Sequence, residues 1–224
     1  MNSAAARGRL IVLEGGDGVG KTTQLPLVAD ALRARGLTVQ TIREPGQTHV
    51  GQQVRALLLH PDSTISPATE ALLFLSARAQ VVAEIVAPAL ARGEWVVADR
   101  FFVSTYAYQI AGHGLDDGLV RSANALATGG LVPDLTVLLT LSPAAAGARR
   151  EARGVADRLE RYGAAFDARV ADAYAASVTP AWQTAHPECG PIVPVPADGA
   201  VEAITAQVLA MIVELAGASV VLTA

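Results

Sequence analysis

Little in this chain can crosslink, ligate or stack. Among 224 residues there is one cysteine, Cys189, so no internal disulfide can form, which fits a reducing compartment. The four histidines, His49, His60, His113 and His186, are scattered and show no metal-ligand spacing. Aromatic residues make up only 4% of the chain, while hydrophobic residues reach 51%, so the core must be built from aliphatic side chains and alanine. Neither sign of charge dominates. A formal net charge of −4 supplies no general attraction to nucleic acid or to an anionic membrane. The four-residue apolar run after Arg9 is too short for a secretory signal, and Glu202 and Glu214 interrupt the apolar C-terminal stretch well short of the ~20 residues needed to span a bilayer. These absences predict a soluble, cytoplasmic protein with no nucleic-acid or membrane partner. At this length the chain is expected to form one domain over residues 1–224.

The scarcest side chain is lysine. The seventeen basic residues are sixteen arginines and Lys21. What the chain does possess is gathered around that lysine. Gly15-Gly16-Asp17-Gly18-Val19-Gly20-Lys21-Thr22 fits G-x-x-x-x-G-K-[ST], directly after the apolar run at residues 10–13 and directly before a helix-period segment. Glycines at 15, 18 and 20 let successive N–H groups turn inward around phosphate oxygens, and the following helix adds its positive end. In such a loop the lysine reaches the β- and γ-phosphates and the Thr22 hydroxyl is a ligand for Mg²⁺, with Thr23 continuing the phosphate-binding stretch. A compact ammonium suits this task better than a planar guanidinium, so the lone lysine falls where the chemistry requires it.

In order, strands are predicted at 10–13, 37–42, 95–98, 135–141 and 191–195. Helices are predicted at 22–35, 50–59, 67–90 with an interruption at Pro88, 103–111, 116–128, onward from Pro143, 160–182 and 201–215. Apolar strands separated by helices define an α/β fold, a doubly wound five-stranded parallel sheet flanked by helices. Ligands of such sheets bind beyond the carboxyl ends of the strands. The first strand leads into the phosphate loop, the second into Arg43-Glu44-Pro45-Gly46, and the third into Asp99-Arg100. Asp99 is placed like an acidic residue that holds Mg²⁺ or its waters opposite the loop, although an aspartate there also suits a helix cap. Arg149, Arg150, Arg153 and Arg158 form the densest positive cluster, with Arg149 and Arg153 one helical turn apart. With Glu151, Asp157 and Glu160 beside them they read either as a solvated ionic face or as a flap that carries arginines onto a transferring phosphoryl group.

Taken together, EGGDGVGKTTQ (14–24), REPG (43–46), ALLFLSARAQ (71–80), DRFFVSTYAYQ (99–109), PDLTVLL (133–139) and RREARGVADRLE (149–160) resemble bacterial thymidylate kinase, a P-loop nucleoside monophosphate kinase that phosphorylates dTMP to dTDP with ATP and Mg²⁺. The resemblance implies an Arg-rich LID flap at about 149–160 and a homodimer. It implies catalytic roles for Lys21, Arg100, Arg149, Arg153 and Arg158, and a metal held by Thr22 and Asp99. On the acceptor side it implies that Phe74 stacks on thymine and that Arg78 donates to its carbonyl edge. Tyr108 would lie under the deoxyribose, and Arg43 and Arg100 would grip the acceptor phosphate. Asp17 would meet the sugar 3′-hydroxyl or a basic residue on its phosphate, Gln109 would help hold the base, and Glu44, Pro45 and Ser104 complete the acceptor motifs. The sequence departs from the family in places: relatives usually have a second glycine where Gln47 stands, and glycine and arginine where Ile110 and His113 stand. Another P-loop deoxynucleoside or nucleoside monophosphate kinase, or a catalytically degenerate nucleotide-binding relative, is the alternative reading. A GTPase switch is disfavoured because a guanine-reading N-K-x-D sequence needs a second lysine.

Overall fold

A computed structural model describes residues 7–153 and 158–216, apart from the side chains of Arg150, Arg153, Glu160 and Ala216. Five parallel strands, β1 (Leu10–Glu14), β2 (Val39–Arg43), β3 (Trp95–Asp99), β4 (Leu135–Thr140) and β5 (Ile192–Pro196), form one sheet in the order β2-β3-β1-β4-β5. The period of two along each strand explains why both faces must be covered. In β1, Leu10 and Val12 enter one core while Ile11 and Leu13 enter the other; in β3, Val96 and Ala98 part in the same way from Trp95 and Val97. One face is covered by α1 (Lys21–Arg33) and α10 (Val201–Ala216), through Val28, Leu32, Ile204, Val208 and Ile212. The opposite face is covered by α3 (Pro67–Val81) with its continuation α4 (Ala87–Ala91), by α5 (Phe102–Thr105) and by α8 (Ala164–Ser177). The remaining helices are α2 (His49–Leu59), α6 (Asp117–Thr128), α7 (Pro143–Arg153) and α9 (Pro180–Ala185). The doubly wound parallel sheet expected from the sequence is therefore present.

Three helical predictions differ in detail. The stretch at 160–182 is not one helix but a 3₁₀ turn at Leu159–Arg161 followed by α8 and α9. Gly163 turns the chain with φ 89°, and Pro180 starts a new helix behind its Thr179 cap. From Pro67 the helix passes through Pro88 without ending, because a π-helical turn at Val82–Val86 precedes α4 and adjusts the hydrogen-bond ladder that the proline would break. A second π-helical turn, Tyr106–Gly112, occupies most of the helix expected at 103–111. The run Pro67–Ala91 is long and apolar enough to cross a bilayer by length and composition, with mean hydropathy 1.5. It nevertheless buries Glu70 and Arg78 in ion pairs and packs on the sheet, as a core helix does.

Register brings the functional strand ends together. Leu13 lies beside Asp99 across β1 and β3, and Arg43 lies beside Asp99 across β2 and β3. The Arg100 N–H donates to the Leu13 carbonyl and the Glu44 N–H to that of Asp99, both at 3.0 Å, so the three segments leave the sheet side by side.

Candidate active site

At the end of β1 the chain turns at Gly15, with φ 132°, where a Cβ would stand 2.4 Å from the Leu139 carbonyl oxygen. No other residue fits there. The loop Gly15–Gly20 then delivers α1, whose N-cap is Gly20 at φ 106°; no side chain caps it, and its first turn has no acidic residue. The positive end of that helix is thus left for an anion. Lys21 Nζ curls back over the loop and donates to the carbonyls of Gly15 and Gly16, both at 2.8 Å. Burial first, and the neighbouring Arg100 second, push its pKa down to about 8. Thr22 Oγ1 donates to Asp99 Oδ2 at 3.2 Å. A hydroxyl and a carboxylate in contact at the mouth of the phosphate loop are the hard oxygen donors that Mg²⁺ selects, and these residues fit the ion.

Arg100 stands opposite the loop on a left-handed backbone, φ 73°, which is costly for any residue with a Cβ. Its guanidinium pairs with Asp17 and donates to the Gly15 carbonyl (3.1 Å), Ser104 Oγ (3.0 Å) and Tyr174 OH (3.1 Å), lying over the Tyr108 ring. The Tyr108 hydroxyl donates to the other Asp17 oxygen at 3.0 Å. Burial opposes ionisation of Asp17, but Arg100, Lys21 and Tyr108 outweigh it and hold its pKa at about 2. The turn that carries Arg100 is anchored by Glu14, which is fully buried at the end of β1. Glu14 accepts from the Phe101 N–H (2.8 Å), the Ser104 N–H (3.0 Å) and Ser104 Oγ (2.7 Å). The sequence offered a signal for this role, a carboxylate closing an otherwise apolar strand, but spacing alone assigns it no partner.

The loop and Arg100 share one cleft of about 550 Å³. Its far wall holds Arg43, Glu44, Pro45, Phe74 and Arg78, with Ser104, Tyr108 and Gln109 between. At the near end, Arg149 reaches from α7 to the Val19 carbonyl (3.4 Å) and the Ala197 carbonyl (3.0 Å). Gly199, Val201 and Ile204 also border that end. Sequence reasoning missed this segment after β5, which carries no charge pattern to mark it.

The match to a family is decided by comparison with known proteins. The family model described as thymidylate kinase covers residues 13–184. The thymidylate kinase of a Synechococcus species is 49% identical over 175 residues, 75% of this chain and 82% of the relative. That of Gloeobacter violaceus is 46% identical over 200 residues, 88% of this chain and 91% of the relative. The crystal structure of thymidylate kinase from Ehrlichia chaffeensis superposes with a TM-score of 0.71 at 26% identity, covering 92% of this chain and 98% of that one. The chain belongs to the thymidylate kinase family.

Within that family frame, most of the expected site residues converge on the cleft, but two arginines behave differently from expectation. Arg78 is buried, and its guanidinium makes four hydrogen bonds to protein within an ion pair to Glu44. Nε and one terminal nitrogen meet Glu44 Oε2 at 2.8 and 2.7 Å, and the others meet Thr105 Oγ1, Asn124 Oδ1 and the Phe101 carbonyl. These partners compete with any acceptor that a ligand in the cleft brings to Arg78. Glu44 Oε1 is buried without a hydrogen bond, and burial raises its carboxyl pKa against the pull of Arg78. Arg158, expected over the phosphoryl group, is not among the residues lining the cleft and donates to the Leu58 carbonyl, Tyr162 OH and Glu70. The side chain of Arg153, and residues 154–157 of the expected flap, lie outside the described residues. Gln47 adopts φ 59°, so the turn takes a left-handed shape that glycine adopts without strain.

Proposed function

We propose that this chain is a dTMP kinase, transferring the γ-phosphoryl group of ATP to the 5′-phosphate of dTMP to give ADP and dTDP. The observation that carries this reading is one cleft in which a phosphate loop, through its Asp17, meets Arg100, and whose lining also includes Phe74. A phosphate oxygen of dTMP attacks the γ-phosphorus, and the bond from that phosphorus to the β-bridging oxygen breaks. The nucleophile is already anionic, so no general base is needed, and positioning with charge neutralisation carries the rate. The loop Gly15-Gly16-Asp17-Gly18-Val19-Gly20, with Lys21, Thr22 and Thr23, holds the ATP phosphates. Lys21 and Arg149 neutralise charge on the oxygens in flight, assisted by Arg153. Thr22 and Asp99 would hold Mg²⁺, which would supply positive charge to offset that of the triphosphate. Arg100 and Arg43 grip the acceptor phosphate, Asp17 orients Arg100, and Tyr108 lies under the deoxyribose. Phe74, Gln109 and Arg78 bind the base, in a wall completed by Glu44, Pro45 and Ser104.

Initial rates of the purified chain with ATP and Mg²⁺ across dTMP, dUMP, dCMP, dGMP, AMP and thymidine test this. The expected result is a kcat/KM for dTMP about 100-fold or more above that for dCMP, since a site aimed at a carbonyl leaves buried groups unpaired against an amino group. Comparable rates with dCMP or AMP would assign the chain to another monophosphate kinase activity.

The chain also acts, in this reading, as a homodimer of a cytoplasmic enzyme, without nucleic-acid or membrane partners. Supporting the dimer, Leu72 on α3 and Leu119 and Leu126 on α6, helices that pack on each other, are 60%, 73% and 87% exposed. Light scattering coupled to size exclusion is expected to give twice the chain mass of 23.1 kDa; a monomer at micromolar concentration would reject it.

A further inference from the structure

Glu70 sits in the first turn of α3 and is 1% exposed. Phe74 and Arg78 follow it at one and two helical turns, on the same face. The Glu70 carboxylate collects donors from two other segments. Oε1 meets His113 Nε2 at 2.9 Å and Gln109 Nε2 at 3.3 Å, both from the π-helical region; Oε2 accepts from Arg158 at 2.6 Å and from the Tyr162 hydroxyl. Arg158 is pinned at its other edge by the Leu58 carbonyl at the end of α2, 2.7 Å away. Rings pack against the cluster: Tyr162 meets His113 edge-on at 4.8 Å and packs on Phe166 at 4.5 Å. A buried carboxylate this well supplied with donors stays ionised, and burial is outweighed by His113, Tyr162 and Arg158 so that its pKa is held at about 2.

Two of the residues this cluster fixes have direct consequences for the cleft. Leu159 follows Arg158 and lines the cleft together with Leu59 and Phe74; Gln109 lines it too. We infer that Glu70 is a positioning residue for the acceptor. Through Arg158 it seats Leu159 against the apolar wall of Phe74 and Leu59, and through Gln109 it sets the adjoining polar edge. Arg158 accordingly serves the acceptor pocket and not the transferring phosphoryl group. His113 is the second cation-capable partner of the same carboxylate, beside Arg158. This inference rests on the dTMP kinase reading.

The test is steady-state kinetics and thermal melting of the full chain, varying ATP and dTMP separately. Glu70→Gln keeps the shape and removes the charge that holds Arg158; it is expected to raise the KM for dTMP about tenfold, the worth of one lost charge-assisted hydrogen bond, with the KM for ATP within about twofold of wild type. Leu159→Ala leaves the charged cluster intact and is expected to raise the KM for dTMP by about tenfold as well, with the melting temperature unchanged within a few degrees. A purely structural role for Glu70 lowers the melting temperature without separating the two KM values. Equal movement of both KM values in Glu70→Gln, or an unmoved dTMP KM in Leu159→Ala, overturns the inference. Should Glu70→Gln not fold, Leu159→Ala decides alone. Wild-type turnover of dTMP in the same assay keeps the two questions apart: its absence rejects the kinase reading, and its presence without the KM split rejects only the positioning role.

Discussion

Replacing Lys21 by alanine is expected to lower kcat by about 1,000-fold or more, the upper end of what one preorganised electrostatic group contributes in a desolvated site, with the fold retained. Lys21 is the only lysine, is 6% exposed, and has its ammonium over the loop where the β- and γ-phosphates lie in the proposed reading. The fold should survive its removal because Lys21 lines the cleft, where water can take up the two carbonyls that the ammonium leaves. The depressed pKa of about 8, against an ordinary 10.5, adds two signatures. Below pH 8 the lysine is charged in both folded and unfolded chains. Between about 8 and 10.5 the unfolded chain holds the extra proton, so this group makes stability rise with pH across that window, and Lys21→Ala should lose that rise. Over the same range kcat/KM for ATP, which reports the free enzyme, should fall as pH passes about 8. Chemical denaturation at pH 7 and pH 10, with initial rates at both, checks each point. Turnover within tenfold of wild type in Lys21→Ala would remove the phosphate loop from the donor site.

Arg78→Met is expected to show its largest effect in stability. The guanidinium and Glu44 are 3% and 6% exposed, and the substitution would leave the carboxylate buried with neither oxygen paired, alongside Thr105, Asn124 and the Phe101 carbonyl. Breaking a buried pair from one side costs about 3–5 kcal/mol. At about 2–4 °C per kcal/mol for a chain of this size, the melting temperature should fall by about 6–20 °C. The double variant Arg78→Met with Glu44→Gln removes the stranded charge and should recover part of that loss, a non-additivity that a double-mutant cycle reads directly. A melting temperature equal to wild type, with only the KM for dTMP raised, would show that Arg78 serves the ligand and not the fold.

These two residues also mark what the sequence could reveal. The phosphate loop was legible because its chemistry is written in consecutive residues, and the sheet because short, wholly apolar runs alternate with helical stretches. Asp99 and Arg100 were legible from strand ends, where parallel α/β sheets collect their ligands. Partners far apart in sequence were not. Arg158 carries the same charge whether it faces a phosphate or Glu70, 88 residues earlier, and only the packing of the 3₁₀ turn Leu159–Arg161 against α3 decides. Glu14 and Glu70 look like ordinary acidic residues until two other segments converge on each. The break at Gly163 went unread because the helical pattern resumes on both sides of it.

The left-handed backbone at Arg100 has a consequence for attempts to make this protein hardier. Glycine there would relieve about 1–2 kcal/mol of steric opposition, so a search guided by conformational preference alone would select it. The same change deletes the guanidinium that joins Asp17, Ser104 and Tyr174. Position 100 is therefore one where robustness and turnover are set against each other within a single residue, and a thermally improved variant should be sought elsewhere in the chain.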